Sequence, residues 1–223
     1  MHGLRTEFAE FERFTTPILL GASLQILFSF AFGGAPDSAR EMLFIGSTVL
    51  TILLSTQVAF ARVFEPDTEN QALDIMRATG NFRAMPYIGA RITQATILVA
   101  LVCIPVMALG MLFDPQGASR FSQPALLGGF VLLIFGAIVG LSSLGVLLSL
   151  VTIRGGTRQV LFPLLFFPLA TPVLLAAIQG SFEFVNAGAW QGSAPSWLGL
   201  VAIFDAIYLT LSILLASELL EQA

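Results

Sequence analysis

Residues 125–153 decide the fold: they read ALLGGFVLLIFGAIVGLSSLGVLLSLVTI and contain no charged side chain. The hydrocarbon core of a bilayer is about 30 Å thick, and a helix needs roughly 20 consecutive apolar residues to cross it. The apolar residues here are continuous rather than alternating, which favours a helix over the strand of a membrane β-barrel. The stretch therefore predicts a transmembrane α-helix.

Five further apolar runs of similar length surround this one. Together the six predicted spans are Thr16–Phe32, Met42–Ala61, Ile92–Phe113, Ala125–Ile153, Val160–Ile178 and Trp197–Leu215. The composition agrees, because 56% of the 223 residues are apolar and 11% are charged, whereas soluble domains carry about 25% charged residues. We predict an all-α, polytopic membrane protein with six transmembrane helices, forming one transmembrane domain over residues 1–223.

The segments between the spans are too short to hold a separate domain, the longest being residues 62–91. We therefore expect that a nucleotide-binding or catalytic domain, if one exists, comes from another chain. The sequence contains no phosphate-binding loop, no metal-spaced His cluster and no nucleophile elbow. Its single cysteine, Cys103, excludes a disulfide within the chain. We expect no catalytic residues, no metal site and no nucleic-acid partner.

The ten basic residues are all Arg, and their distribution predicts the orientation in the membrane. Eight of them fall in three segments that a hairpin topology places on one side: Arg5 and Arg13, then Arg62, Arg77, Arg83 and Arg91, then Arg154 and Arg158. The opposite loops hold only Arg40 and Arg120. The positive-inside rule then predicts a cytoplasmic N-terminus, C-terminus, 62–91 loop and 154–158 loop.

The N-terminal residues 1–14 carry an apolar face of their own. Apolar side chains recur there at spacings of three and four, at Leu4, Phe8, Phe11 and Phe14. This pattern predicts an amphipathic helix at the membrane surface. The alternative is a simple extension of the first span.

The loop at residues 62–91 contains the pattern of a short amphipathic helix. Pro66 and Thr68 stand where a helix could begin, with acidic residues in its first turn, and Gly80 is typical of a helix end. Leu73 and Met76 belong to its apolar face. Such a helix along the cytoplasmic surface could dock a soluble partner, or it could merely cover the lipid interface.

Two patterns inside the spans predict how the helices pack. Gly136 and Gly140, four residues apart, allow another backbone to approach closely, either in a homodimer or within the chain. Pro163, Pro168 and Pro172 each remove a backbone donor, which predicts kinks in the fifth span.

Asp205 is the acidic residue deepest in a predicted span. A lone charge there costs at least about 2.5–3.5 kcal/mol, so its side chain should face protein or water. We treat it as an intramembrane polar site, and we hypothesise that it pairs with Ser55, Thr56 or Gln57 of the second span. A secondary transporter is disfavoured, since ion-coupled transport usually needs more ionisable groups in the membrane.

The chain resembles the haem exporter protein B family over nearly its whole length. The residues that carry the resemblance are Leu27–Phe32 at the end of the first span, the stretch Arg62–Arg91, Arg154-Gly-Gly after the fourth span, and Pro168-Leu-x-x-Pro172 in the fifth. Their order and spacing, together with six spans, match that family's pattern.

The resemblance implies an ABC-2-type permease subunit of the bacterial inner membrane that has no ATPase of its own. It implies as partners an ATP-binding cassette subunit, a haem-handling membrane subunit and a small membrane subunit, besides membrane lipid. Together these would use ATP to release haem-loaded chaperone in cytochrome c maturation. The 62–91 loop would then couple to the ATPase, through Arg62, Asp67, Glu69, Leu73, Asp74 and Met76.

The resemblance implies no cofactor in this chain. ATP would be bound by the partner subunit, and haem could be bound by the complex as a whole. The alternatives are a lipid or glycan permease and a non-transporting scaffold of a haem-delivery complex.

Overall fold

The computed structural model of the protein describes residues 2–61, 84–152 and 158–221. The described chain has one long helix for each predicted span. These are α1 (His2–Phe32), α2 (Asp37–Ala61), α3 (Ala84–Phe113), α4 (Pro124–Thr152), α5 (Arg158–Ala187) and α6 (Ala194–Glu221). Each contains a stretch long and apolar enough to cross a membrane. The predicted six-helix, all-α membrane fold is confirmed.

Several helices extend beyond the predicted spans. α2 begins at Asp37, directly after Pro36, and α5 continues past Ile178 to Ala187. α3 begins at Ala84, so residues 84–91, which we assigned to the loop, are helical. The helices are longer than the predicted spans because hydropathy detects only the part of a helix that lies in hydrocarbon. A membrane helix continues beyond that part through the polar interface.

The N-terminal segment and the first span form one helix, because α1 runs without interruption from His2 to Phe32. The alternative of an extension of the first span therefore describes the backbone correctly. The predicted amphipathic face at residues 1–14 concerns side chains that lie outside the described part of the chain.

α4 and α2 are the interior helices of the bundle. In α4, 72% of the span is buried, and in α2 61%, compared with 17–39% in the other four. α4 contacts α2, α3, α5 and α6, while α2 contacts α1, α3, α4 and α5. All residues from 141 to 150 of α4 are buried. The uncharged run that predicts the fold is thus the helix against which four of the other five helices pack.

Glycines on α4 admit large side chains from neighbouring helices. A Cβ at Gly129 would overlap the ring of Phe184 on α5, and one at Gly145 would overlap the ring of Phe60 on α2. Apolar helices gain little from hydrophobic contact with one another in lipid, so close fit is the main source of their association. The two glycines therefore fix where α2 and α5 lie along α4.

Arg40 is one of the two arginines that lie in the loops opposite the Arg-rich side. Its side chain binds the turn that follows the first helix. Its Nη2 donates to the carbonyl of Gly33 at 2.7 Å, and its Nε donates to that of Ala35 at 3.0 Å. These carbonyls follow the last turn of α1, where orphan acceptors need partners. Arg40 therefore stabilises the turn between α1 and α2.

Arg120, the other such arginine, joins two helices at the same end of the bundle. Its Nη1 lies 3.8 Å from Oε1 of Glu41 on α2 and donates to the carbonyl of Val185 on α5 at 3.0 Å. It belongs to a short 3₁₀ helix, Ser119–Ser122, that is anchored by the buried ring of Phe121. Both arginines thus have structural partners.

Candidate functional site where α4, α5 and α6 meet

Asp205 projects from α6 toward the glycine pair of α4. A Cβ at Gly140 would overlap Oδ1 of Asp205, and one at Gly136 would lie 3.9 Å from Oδ2. Oδ1 is buried and has no hydrogen-bond partner among the residues that the structure describes. The carboxylate therefore lies in a groove that exists only because positions 136 and 140 lack side chains.

Val201 completes this contact between the two helices. It lies one turn before Asp205 on α6, and its Cγ1 is 3.0 Å from where a Cβ at Gly136 would stand. Residues four apart share one face of a helix, so two positions on α6 interlock with two glycines on α4. The structure thus uses the glycine pair for packing within the chain rather than leaving that groove open to a second copy.

Asp205 does not pair with Ser55 or Thr56 of the second span in this structure, and its pairing with Gln57 stays a prediction. The hydroxyls of Ser55 and Thr56 donate to the carbonyl of Ile52 in their own helix, at 3.1 and 2.6 Å. Ser55 packs against Gly21 of α1 instead. A helical pattern shows which residues share a face, but not which helix lies opposite. The fit of α6 onto the α4 glycines determines where the carboxylate lies.

Tyr208 and Ser212 continue the polar face that begins at Asp205, and sequence reasoning missed both. The hydroxyl of Tyr208 donates to the carbonyl of Leu169 on α5 at 2.6 Å. The hydroxyl of Ser212 reaches the carbonyl of Ser143 on α4 at 3.0 Å. The signal was present, because polar residues at i, i+3 and i+7 from Asp205 lie on one helix face.

The proline-rich part of α5 belongs to the same site. Leu169, the acceptor for Tyr208, lies between Pro168 and Pro172. α5 is helical through both of them and through Pro163. Because each proline lacks an N–H and strains the preceding turn, this is where α5 can bend most easily. The angles of the predicted kinks stay a prediction.

Asp205 and the glycine pair therefore meet at one place, and the hydrogen bond from Tyr208 to Leu169 joins the segment between Pro168 and Pro172 to the same face of α6. The site has an ionisable carboxyl between two helices, and one of its oxygens has no described partner. Such a carboxyl can accept a hydrogen bond or exchange a proton when the helices move apart. Among the described residues, no group of three or more His, Cys, Asp or Glu could hold a metal ion.

The predicted coupling residues Arg62, Asp67, Glu69, Leu73, Asp74 and Met76 all lie outside the described residues. The helices on either side are described, with α2 ending at Ala61 and α3 beginning at Ala84. At the start of α3 the guanidinium of Arg91 lies 5.5 Å from the ring centroid of Tyr87 and donates to Oε1 of Gln94 at 2.8 Å. Arg91 is therefore held at the helix surface.

Comparison with known proteins identifies the family. The family model described as CcmB protein matches residues 1–222. No curated protein and no solved structure matches the chain. The match covers almost the full length, so it includes the six helices, the Asp205 site and the segment between α2 and α3. This chain belongs to the CcmB family, the haem exporter protein B family of membrane permeases.

Proposed function

We propose that this protein is the permease subunit of an ATP-driven complex that releases haem-loaded chaperone during cytochrome c maturation. The observation that carries the proposal is the family match over residues 1–222. This family supplies a haem-exporter permease component of the cytochrome c maturation system. The six span-forming helices support a multi-pass membrane protein, and the bacterial inner membrane is the proposed location.

ATP hydrolysis belongs, in this proposal, to a separate ATP-binding cassette subunit. The six helices account for most of the chain, and the intervening segments are shorter than a domain. The ATPase docks on the 62–91 segment in the cytoplasm, through Arg62 and the acidic and apolar residues named above. A haem-handling membrane subunit and a small membrane subunit complete the complex. Haem is its cargo.

The contacts of α2 support a mechanical role for the docking segment. Phe60, one residue before the end of α2, has its ring in the space left by Gly145 of α4. The hydroxyl of Ser149 on α4 donates to the carbonyl of Phe60. The ring also packs against the ring of Phe166 on α5, with the two centroids 5.7 Å apart and the planes tilted by 57°. A displacement of the segment that follows α2 is therefore passed directly to α4 and α5.

From α4 the same displacement reaches the carboxylate site. Gly140 lies just over one helical turn from Gly145 and packs on Asp205 of α6. We infer a sequence of contacts from docking segment to α2, from α2 to α4, and from α4 to the Asp205 site. In this mechanism the ATPase does mechanical work on the α4–α6 interface, and the chain itself catalyses no reaction.

A non-transporting scaffold is the second candidate, and one observation favours it. The ten residues of α4 from 141 to 150 are buried at every position, so side chains fill the interior of the bundle along that part of the helix. A scaffold would assemble the haem-delivery complex without a path for cargo through this chain. It predicts that substitutions filling the interior further leave haem delivery intact as long as the complex assembles.

Deletion of the gene tests the choice of cargo system. We expect the deletion strain to lose haem-stained c-type cytochromes while the b-type cytochrome spectrum, which serves as the control, stays normal. A plasmid copy should restore the c-type cytochromes. Normal c-type cytochromes together with a defect in lipid or glycan export would overturn the proposal in favour of a lipid or glycan permease.

A further inference from the structure

The described side chains of α1 bury an unusual stripe for a membrane helix. The buried positions are spaced four apart and contain no large apolar side chain: Pro17, Gly21, Gln25 and Ser29. Two large apolar residues of α1 are mostly exposed, Leu27 at 60% and Phe30 at 73%. The fully buried positions of α1 are therefore small or polar residues.

Gln25 is the centre of this stripe. Its side chain is 1% exposed, yet neither Oε1 nor Nε2 has a hydrogen-bond partner within the described ranges. Nε2 is 2.8 Å from where a Cβ at Gly110 of α3 would stand, and the ring of Phe44 on α2 is 3.0 Å from the same point. The amide thus lies at the junction of three helices.

A matching stripe on α2 faces this junction. Phe44, Thr48, Thr51 and Ser55 fall within about 60° of one another at 100° per residue. Both ends of the stripe are placed by contacts: Phe44 lies beside Gln25 at Gly110, and the Cβ of Ser55 is 3.3 Å from where a Cβ at Gly21 would stand. Thr48 and Thr51, which lie between these ends, must therefore face α1 as well.

These two threonines are also buried without partners. Both are 0% exposed, and neither hydroxyl forms a hydrogen bond with a described residue; the same holds for the hydroxyl of Ser29. Hydroxyls in membrane helices usually donate to the carbonyl four residues back. Thr96 and Thr152 of this chain do so at 2.8 Å. We call four of these side chains the α1–α2 seam: Gln25, Ser29, Thr48 and Thr51. Each has a buried polar group without a hydrogen-bond partner among the described residues.

A buried amide or hydroxyl without a hydrogen-bond partner destabilises the folded chain, because the group has lost its bonds to water. A molecule that both donates and accepts hydrogen bonds would remove that cost. Water has the right size, and it needs two to four polar partners to be held in a protein interior. The seam supplies three hydroxyls and an amide over about one turn of each helix.

We propose that the α1–α2 seam is a hydration site, in which bound water bridges Gln25, Ser29, Thr48 and Thr51 inside the membrane-spanning bundle. Water enters from the end that carries the α1–α2 turn, because Ser29 lies within one turn of Phe32 at the end of α1. This inference requires neither the proposed cargo nor the proposed ATPase, so its failure would leave the proposed function untouched.

Cysteine accessibility tests the hydration site directly. Cys103, the native thiol, is first replaced by Ala; then Ser29→Cys and Thr48→Cys are compared with Leu27→Cys, all in the native complex in membranes. Leu27 lies on the exposed apolar side of α1, two residues from Ser29, and serves as the matched control. Thiolates form only where water solvates them, so a small charged methanethiosulfonate should modify the seam cysteines roughly tenfold or more faster than the control.

Modification of both seam cysteines no faster than Leu27→Cys would overturn the proposal. A second substitution tests whether the water that solvates the cysteine thiol is the water bound in the seam. Gln25→Leu replaces the amide with an apolar group of similar size and should slow modification of Thr48→Cys by roughly tenfold, because it removes a partner that holds the water. An unchanged rate in that double variant would place the water elsewhere and would also contradict the seam. Equal amounts of each variant in the membrane show that the chain is folded.

Discussion

The carboxylate of Asp205 on α6 lies where any residue larger than glycine at position 140 of α4 would place its Cβ. The two positions are 65 residues apart in sequence, yet each constrains the other. Glycine at 140 makes room for the acid, and the acid brings the polar face of α6 between α4 and α5. This relationship links the charge, the glycine pair and the proline-rich segment in one site.

Gly140→Ala should destabilise the protein, because the added methyl group overlaps Oδ1 of Asp205. Overpacking of a fitted interior costs about 1–3 kcal/mol. Thermal unfolding of the detergent-purified protein, followed by the loss of its monodisperse peak in size-exclusion chromatography, measures the effect. Gly128→Ala is the control on the same helix, since no atom lies within 4 Å of its Cβ position. Equal stability of the two variants would contradict the close α4–α6 contact.

Asp205→Asn should lower cytochrome c maturation without lowering the amount of protein in the membrane. The substitution keeps the shape of the side chain but removes its charge, and a buried charge in a span costs at least about 2.5–3.5 kcal/mol. Loss of the charge should therefore not destabilise the fold. Haem staining of c-type cytochromes, beside immunoblots of the chain, measures both quantities.

The control for that experiment is Asp37→Asn at the start of α2, whose side chain is 94% exposed. It should leave cytochrome c maturation unchanged. If Asp205→Asn also left maturation and stability unchanged, the carboxylate of Asp205 would contribute to neither function nor folding.

Tyr208→Phe should weaken the contact between α5 and α6, because it removes the hydrogen bond to the carbonyl of Leu169. Hydrogen bonds between membrane helices contribute about 0.6 kcal/mol on average and about 1.7 kcal/mol at most. Thr210→Val is the control, since that hydroxyl donates to Ala206 of its own helix at 2.7 Å. Unfolding of the two variants in a graded detergent mixture gives the difference. A loss for Tyr208→Phe no greater than that for Thr210→Val would mean that the α5–α6 bond contributes nothing.

Leu73→Asp should abolish association with the ATP-binding subunit while the chain still inserts into the membrane. The proposed docking helix presents Leu73 on its apolar face, and a carboxylate there would leave a charge buried against the partner. Asn70→Asp adds the same charge three residues earlier, at a position that is already polar, and should retain association. Co-purification with a tagged variant measures the outcome. If the Leu73→Asp variant still associated normally with the ATP-binding subunit, the segment would only cover the lipid interface and would not be the docking site.

The six spans could be predicted because hydropathy is a local property of the chain. The run at residues 125–153 needs no knowledge of its neighbours to be assigned to the membrane. The ends were less predictable. α3 begins eight residues before Ile92, at Ala84, because polar and aromatic side chains such as those of Arg91 and Tyr87 are stable at the interface.

The polar site was predictable in its parts but not in its assembly. Asp205 can be recognised as a rare charge inside a span, and Gly136 and Gly140 by their spacing of four residues. Their contact depends on which face of α4 meets α6, and a helix that is apolar on all sides does not encode that choice in its periodicity. The same limitation applies to Gln25, whose importance becomes visible only when Gly110 and Phe44 are placed beside it.

Affinity purification of the tagged chain from its native membrane, with quantitative identification of the proteins that accompany it, tests the central claim most directly. The proposed function predicts an ATP-binding cassette subunit together with cytochrome c maturation proteins. An ATP-binding subunit accompanied by lipid or glycan enzymes would retain the permease and replace the cargo. Recovery of the intact chain with no ATP-binding subunit would contradict the claim that this protein is the permease of an ATP-driven complex.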